Sequence, residues 1–303
     1  MTQEVVDTFQ LSMNGKKVIA PLHVGFAYTK PLAVVGNILD KENGYLTLLS
    51  TVTRRPIDIV EISCPGARDA MFNMDDSKIF TTCQQEPKGM AVIDVEARKE
   101  IKMVPIKGGR AGGMDPQGKY FMVSASKSVH FFDSQTAELV KTIKVPGGGG
   151  NFTCLKDGSK CYVGLRKANA VGVIDMEKLE LMKTIETGPD ANRLYLNPGN
   201  SRYGLFANEA GKSDIVSIID TQLDVKVKDI WTGLGPHNVA FDPDGKFAVI
   251  STKKENVATL VDTGSADPND WDVITTDLDS GIQNNGVRWV PSPAALKKAL
   301  AQN

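Results

Sequence analysis

The sequence predicts an all-β protein, a seven-bladed β-propeller of four-stranded blades. Three observations support this fold class. An alternating apolar run that ends in Asp recurs along the chain, a hairpin signal precedes each of these runs, and both signals repeat with a period of about forty residues. Four antiparallel strands in a repeat of this length are typical of a propeller blade.

The recurring strand end is clear in AVGVIDME (170–177) and ATLVDTG (258–264). Asp and Ser side chains accept hydrogen bonds from the backbone of tight turns, which explains these residue types at a strand end. An earlier copy, YLTLLSTV, carries Ser50 in this place. The Asp residues that end these runs are Asp94, Asp133, Asp175, Asp220 and Asp262.

The hairpin signal is an apolar residue, a turn of Pro, Asp, Gly or Asn, a Lys or Ser, and a second apolar run. FDPDGKFAVIST (241–252) and MDPQGKYFMVSA (114–125) show it clearly, and FNMDDSKIFTTC (72–83) is a looser copy. Such a turn between two apolar runs predicts a β-hairpin. We call the four predicted strands of each repeat a, b, c and d in chain order.

The repeats predict one domain over residues 1–303, with its ring closed by both ends of the chain. Residues 279–303 and 1–20 together form the predicted seventh blade. NNGVRWVP supplies its strand a, EVVDTFQL and KKVIA supply strands c and d, and the tail SPAALKKALAQN is predicted to form a short helix. Closure of this kind removes free sheet edges. The other predicted blades span residues 21–63, 64–106, 107–145, 146–187, 188–232 and 233–278.

The segment GPHNVAFDPDGKFAVISTKKENVATLVDTGS (235–265) resembles the repeat of YVTN-type β-propellers. The resemblance covers about six of the predicted blades. The YVTN tetrapeptide itself is replaced by segments such as AVIST and FMVSA. The resemblance implies a propeller fold. It leaves function open, because the family includes surface-layer proteins and subunits of amine dehydrogenases.

Charge and hydropathy exclude two classes of partner. Lys and Arg number 35 against 36 Asp and Glu, so no basic excess predicts nucleic-acid binding. No apolar stretch is long enough to predict a membrane span. The N-terminus as given lacks the pattern of a signal peptide. We therefore expect a cytoplasmic protein from the sequence as given, and a periplasmic or secreted one if a leader was removed.

The four cysteines leave two alternatives open. Cys154 and Cys161 flank a predicted hairpin, and Cys64 and Cys83 are placed to meet in the same way in an earlier blade. They are either buried thiols or two disulfides formed in an oxidising compartment.

One position of the repeat is predicted to converge on a central funnel. It lies four residues before the last apolar residue of strand a, and His23 falls close to it in the first blade. Neighbouring glycine-rich loops, one of which contains Asn151, would let a ligand reach backbone N–H groups. Asp69 and Asn238, which follow two of these positions, are predicted to face the sheet or the next blade. The position holds Arg68, Arg110, Gly150, Asn192, His237 and Asn285 in the later blades.

These residues favour a protein that binds an anionic small molecule, with or without transforming it by acid–base chemistry. Arg68 and Arg110 would clamp the anion, and His23 or His237 would move protons in a lyase, isomerase or lactone-hydrolase reaction. Asn192 and Asn285 would orient the ligand. The same polar residues are also compatible with a channel that holds only water.

The sequence requires no cofactor. His23 and His237 are predicted to lie roughly 10 Å apart, too far for one metal ion, so no metal site is predicted. The alternative function is a non-catalytic propeller that binds a protein partner or belongs to a redox complex.

Overall fold

The computed structural model describes residues 8–13, 15–16, 18, 21–38, 41–255 and 257–279. These residues form six four-stranded antiparallel sheets, each made of four strands that follow one another in the chain. Within each sheet the strands lie side by side in chain order. The predicted all-β class and the predicted a–b–c–d order of each repeat are therefore confirmed for six repeats.

The chain divides into two compact units. Unit 1 contains the residues up to Cys161 together with Asp175–Leu181, and unit 2 contains Tyr162–Ile174 and the residues from Met182 onwards. Unit 1 includes three complete sheets. The first consists of β1 (Pro21–Phe26), β2 (Leu32–Asn37), β3 (Gly44–Ser50) and β4 (Arg55–Ile62). The second consists of β5 (Met71–Phe72), β6 (Lys78–Cys83), β7 (Gly89–Asp94) and β8 (Lys99–Pro105). The third consists of β9 (Ala111–Met114), β10 (Tyr120–Ser124), β11 (Ser128–Asp133) and β12 (Leu139–Lys144).

The boundary between the units falls within the fourth sheet, and unit 2 includes the fifth and sixth sheets. The fourth sheet consists of β13 (Phe152–Cys154), β14 (Lys160–Leu165), β15 (Ala170–Asp175) and β16 (Glu180–Glu186). The fifth consists of β17 (Ala191–Leu196), β18 (Tyr203–Asn208), β19 (Ile215–Asp220) and β20 (Val225–Trp231). The sixth consists of β21 (Pro236–Phe241), β22 (Phe247–Thr252), β23 (Val257–Asp262) and β24 (Asp272–Asp279). Short 3-10 turns cover Arg166–Ala168 and Pro268–Asp270.

The turns after the third strands are built as the repeated Asp predicts. The Asp133 carboxylate accepts hydrogen bonds from the backbone N–H groups of Gln135 and Thr136, and Asp175 does the same for Glu177 and Lys178. In the first five sheets, the residue four positions after the Asp or Ser has a left-handed backbone, which closes a hairpin with a one-residue bulge. These left-handed residues are Arg54, Arg98, Ala137, Leu179 and Asp224.

The hairpin between the first two strands also needs a left-handed residue, which is Gly118, Gly158 or Gly245 where the sequence signal is strong. In the looser copy this position is Asp76, with a φ of 56°. Its carboxylate accepts hydrogen bonds from the backbone of Tyr28, Thr29 and Lys30 in the loop between β1 and β2. The departure from Gly therefore gives the second sheet a carboxylate that fixes a loop of the first.

Within each unit, buried residues of neighbouring sheets form shared hydrophobic cores, and most of these residues come from the second and third strands. In unit 1, Phe80 of β6 stacks on Phe121 of β10 with ring centroids 5.1 Å apart. In unit 2, Tyr203 of β18 meets Trp271 edge to face at 5.9 Å. Aromatic pairs of this geometry add to the stability that comes from burial alone.

All four cysteines are paired. Cys64, which follows β4, bonds to Cys83 at the end of β6, and Cys154 of β13 bonds to Cys161 of β14. Of the two alternatives left open by the sequence, the structure therefore shows the disulfides. The first connects two sheets of unit 1, and the second lies across a hairpin.

The predicted seventh blade and C-terminal helix rest mainly on residues outside those that the structure describes. Near the N-terminus, the described residues include a turn in which the Lys16 N–H donates to the Met13 carbonyl at 2.9 Å. In the described part of the chain, no helix is both long and apolar enough to cross a membrane.

Candidate functional site

Five residues of unit 1 that stand at or just before the first strands of successive sheets form one polar cluster. We call this the unit 1 cluster, and its members are His23, Arg68, Asp69, Arg110 and Asn151. His23 lies in β1, whereas the others directly precede the first strands of their sheets or lie within three residues of them.

His23 projects from an irregular point in β1. The pairing of β1 with β2 shifts register between Leu22 and Val24, so His23 is the extra residue of a β-bulge, and its φ is 55°. A bulge turns one side chain away from the regular alternation, and bulges of this kind often stand beside functional sites. The His23 side chain is 41% exposed.

Asp69 is the buried centre of the cluster. Its Oδ1 lies 2.6 Å from His23 Nδ1, and its Oδ2 accepts the Gly112 N–H at 2.9 Å. Arg68 Nε lies 3.3 Å from the same Oδ2. Burial alone would raise the pKa of Asp69, but the charge of Arg68 and the hydrogen bonds from His23 and Gly112 hold that pKa below its usual value. The ionised carboxylate accepts a hydrogen bond from Nδ1, so His23 carries its hydrogen there.

Both arginines of the cluster reach the glycine-rich segment 149–151. Arg110 Nη1 donates to the Gly149 carbonyl at 2.7 Å, and Arg68 Nη2 donates to Asn151 Oδ1 at 3.3 Å. The Gly149 N–H in turn donates to Ser124 Oγ at 2.8 Å, which anchors the segment. Arg68 is buried, and its Nε makes no hydrogen bond to the residues that the structure describes.

Unit 2 contains a second cluster, built around the buried carboxylate of Glu209. We call it the unit 2 cluster, and its members are Arg166, Asn192, Glu209, His237 and Lys253. Glu209 Oε2 lies 3.0 Å from Arg166 and 3.3 Å from Lys253, while Oε1 lies 2.9 Å from His237 Nε2 and accepts a hydrogen bond from Asn192. Asp190 forms a further ion pair with Arg166.

Glu209 is ionised, and its pKa lies well below the usual range. Burial opposes this, but the hydrogen bond and charge of His237 and the charges of Lys253 and Arg166 outweigh the cost of burial. Asn192 is oriented by the same network, because its Oδ1 accepts from Arg166 at 3.0 Å while its Nδ2 donates to Glu209. Each donor of the network thus has the Glu209 carboxylate as a partner.

Both ring nitrogens of His237 are engaged. Nε2 faces Glu209, and Nδ1 lies 3.1 Å from Asn238 Nδ2. Asn238 Oδ1 accepts from the Tyr195 hydroxyl, which orients the amide so that Nδ2 donates to the ring. Nδ1 of His237 is therefore an acceptor, and Nε2 carries the hydrogen that is donated to Glu209.

The structure thus distributes the residues predicted from the sequence between two clusters. His23, Arg68, Arg110 and Asn151 come together in unit 1, and Gly150 is buried between two residues that accept from the arginines. Asn192 and His237 come together in unit 2. Asn285 lies outside the described residues. Among the described residues, no group of three or more His, Cys, Asp and Glu is placed to hold a metal ion.

Sequence reasoning missed three members of the unit 2 cluster. Arg166, Glu209 and Lys253 each directly follow the second strand of their sheet, as Gln84 does in the second sheet. This position recurs with the period of the repeat, so the same register argument, applied to the end of strand b, identifies them. Asp69 was predicted to face the sheet or the next blade. Its bond to Gly112 fits that prediction, but its bond to His23 was not foreseen.

No family model matches the sequence, and no curated protein matches it. Comparison with solved structures finds similar folds at low sequence identity. Hydrazine synthase of Kuenenia stuttgartiensis aligns with 90% of this chain and 88% of its own, at 16% identity and a TM-score of 0.65. The β-propeller domain of Cps50 (Swd1) from Myceliophthora thermophila aligns with 82% of this chain and 84% of its own, at 14% identity and a TM-score of 0.63.

A protein of unknown function from Desulfotomaculum acetoxidans is similar to the same degree. It aligns with 88% of both chains, at 17% identity and a TM-score of 0.66. At such identities the likeness concerns the fold and does not extend to activity. Together with the six four-stranded sheets, it shows that this chain has the β-propeller fold.

Proposed function

We propose that this propeller binds a small anionic molecule at the unit 1 cluster. The observation that carries the proposal is that two arginines converge on segment 149–151 beside a single carboxylate. Arg68 is buried, and its Nε lacks a hydrogen bond to the described residues. Arginine guanidinium groups form strong, charge-assisted hydrogen bonds with carboxylate and phosphate groups.

The charges of the cluster favour an anion. Arg68 and Arg110 carry two positive charges, while Asp69 is ionised and carries one negative charge. Both Asp69 oxygens already accept hydrogen bonds. The cluster therefore has an excess of positive charge even when His23 is neutral, and arginine binds carboxylate and phosphate groups through two parallel hydrogen bonds.

The unit 2 cluster is less suited to this task. Its cations and its amide donor already converge on Glu209, which fills the place that an external anion would take. We therefore assign this cluster to the stability of the fold.

For the proposed acid–base chemistry, the histidine of the unit 1 cluster is also better placed than that of the unit 2 cluster. The hydrogen bonds of His237 occupy both ring nitrogens, whereas His23 bonds to Asp69 through Nδ1 and has a side chain that is 41% exposed. Of the two histidines that the sequence suggests, His23 is better placed to exchange a proton with a ligand. A lyase, an isomerase or a lactone hydrolase remains compatible with such a group.

Isothermal titration calorimetry tests the proposal with pyruvate, malonate and inorganic phosphate as probes. We expect at least one probe to bind, and R110Q to weaken its binding about 10- to 100-fold, because one charge-assisted hydrogen bond contributes about 1.5–3 kcal/mol. R54Q is the matched control, since Arg54 is an exposed residue of a turn in the same unit. Equal affinities for the wild type and R110Q would contradict the proposal.

A protein-binding function is the second candidate, and one observation favours it. Trp231, at the end of the outer strand β20, is 69% exposed, and Trp is enriched among the residues that dominate protein interfaces. If this function is correct, W231S loses a partner that copurifies with the wild type. Identical copurification of the two proteins would argue against it.

A further inference from the structure

We propose that His23 is a proton-transfer group for 2-oxo acids and that Asp69 is the residue that positions it. The proposal rests on the proposed anion site, because the ligand must first bind at the unit 1 cluster. It adds the class of ligand, the direction of proton transfer and a role for Asp69.

The tautomer of the His23 imidazole ring supports this role. Asp69 Oδ1 lies 2.6 Å from Nδ1, and Asp69 is itself fixed by the Gly112 N–H and the nearby Arg68. An ionised carboxylate in this position keeps the hydrogen on Nδ1, so the lone pair of neutral His23 is on Nε2. A histidine oriented in this way by a carboxylate is the usual arrangement of a general base.

The backbone that carries the His23 ring also supports this role. His23 is the extra residue of a β-bulge and has a φ of 55°, which is uncommon for a residue other than Gly, although His, Asn and Asp adopt it more often than other residues. A regular strand would need neither feature. Strain of this kind persists where the surrounding structure enforces it, and here the bond to buried Asp69 does so.

The positive charge of the neighbouring arginines favours a 2-oxo acid as the ligand. A 2-oxo acid has a carboxylate for the arginines and acidic C–H bonds next to its carbonyl. When Nε2 removes such a proton, the C–H electron pair forms a C=C bond and the carbonyl π pair moves onto oxygen. The resulting enolate is stabilised by Arg68 and Arg110, and the reverse step returns the proton to carbon. The exchange is balanced and needs no other reactant.

The test is deuterium exchange at C3 of pyruvate and of 2-oxobutyrate in D2O, followed by proton NMR with intact protein. We expect the wild type to accelerate exchange, H23Q to lower the catalysed rate at least 100-fold, and D69N to lower it about 10-fold or more. H130Q is the matched control, because His130 lies in the same unit and bonds to Ser128 and Thr142. We expect it to retain the wild-type rate.

Nitrogen-15 NMR of the His23 ring supplies a readout that does not depend on turnover. We expect the hydrogen on Nδ1 in the wild type above neutral pH, and a mixture of the two tautomers in D69N. A wild-type ring with its hydrogen on Nε2 would overturn the proposal.

Binding in the same samples separates the two proposals. A probe that binds through Arg110 but exchanges no faster with the wild type than with H23Q overturns the role of His23 and leaves the anion site intact. Failure of both 2-oxo acids to bind overturns the 2-oxo acid assignment, and failure of malonate and phosphate as well overturns the anion site itself.

Discussion

At the residue scale, the two histidines near the starts of first strands differ in the carboxylate that holds each of them. Asp69 comes from the segment before the next sheet's first strand and binds His23 through Nδ1, whereas Glu209 follows a second strand and binds His237 through Nε2. The repeat register predicted the positions of both histidines. The register did not predict their partners, because each partner depends on which neighbouring loop carries an Asp or Glu side chain long enough to reach the histidine.

Glu209 provides a test of the unit 2 cluster. We expect E209Q to lower the free energy of unfolding by about 3 kcal/mol or more, because the amide removes the buried carboxylate on which Arg166, His237 and Lys253 converge. Urea denaturation at pH 7 measures this. E180Q is the control, since Glu180 pairs with Lys141 at an exposed position. A change in E209Q no larger than in the control would contradict this account.

The effect of E209Q depends on pH in a defined direction. The pKa of Glu209 is lower in the folded protein than its ordinary value of 4.5, so the stabilisation is complete above that value and is lost as the pH falls towards the folded-state pKa. The difference between the wild type and E209Q is therefore largest at pH 6–7 and shrinks below about pH 4.5. If the difference in the free energy of unfolding between the wild type and E209Q grew as the pH fell, it would contradict this account.

At the scale of strands and turns, the sequence predicted most of the structure because each repeat carries its own local signals. The Asp turn is an example, since Asp133 and Asp175 bond their own backbones and need no distant partner. Asp76 shows the limit of such signals. It stands where other repeats have Gly, and its carboxylate oxygens accept hydrogen bonds from a loop of the first sheet. The sequence pattern alone does not show this role.

The disulfides are tested at this same scale. We expect the C64A/C83A pair to lower the free energy of unfolding by about 3 kcal/mol, and C154A/C161A to lower it by less, because the first closes 19 residues of chain and the second closes 7. Urea denaturation without reductant measures both. A larger loss in C154A/C161A would contradict the order, and free thiols in the denatured wild type would contradict the pairing.

At the scale of the whole molecule, six of the predicted blades appear as six sheets, and the likeness to known structures shows a propeller. The seventh blade stays a prediction, because it rests on residues outside the described part of the chain. The sequence predicted only part of the chemistry of the polar positions near the first strands. The sequence identified cationic and amide residues, but the carboxylates of Asp69 and Glu209 that contact them came from the structure.

A crystal structure of the protein soaked with pyruvate tests the central claim most directly. The account predicts density for the carboxylate within hydrogen-bonding distance of the Arg68 and Arg110 guanidinium groups, with C3 facing Nε2 of His23. Density for pyruvate elsewhere, with only water beside Arg68 and Arg110 at saturating ligand, would contradict it.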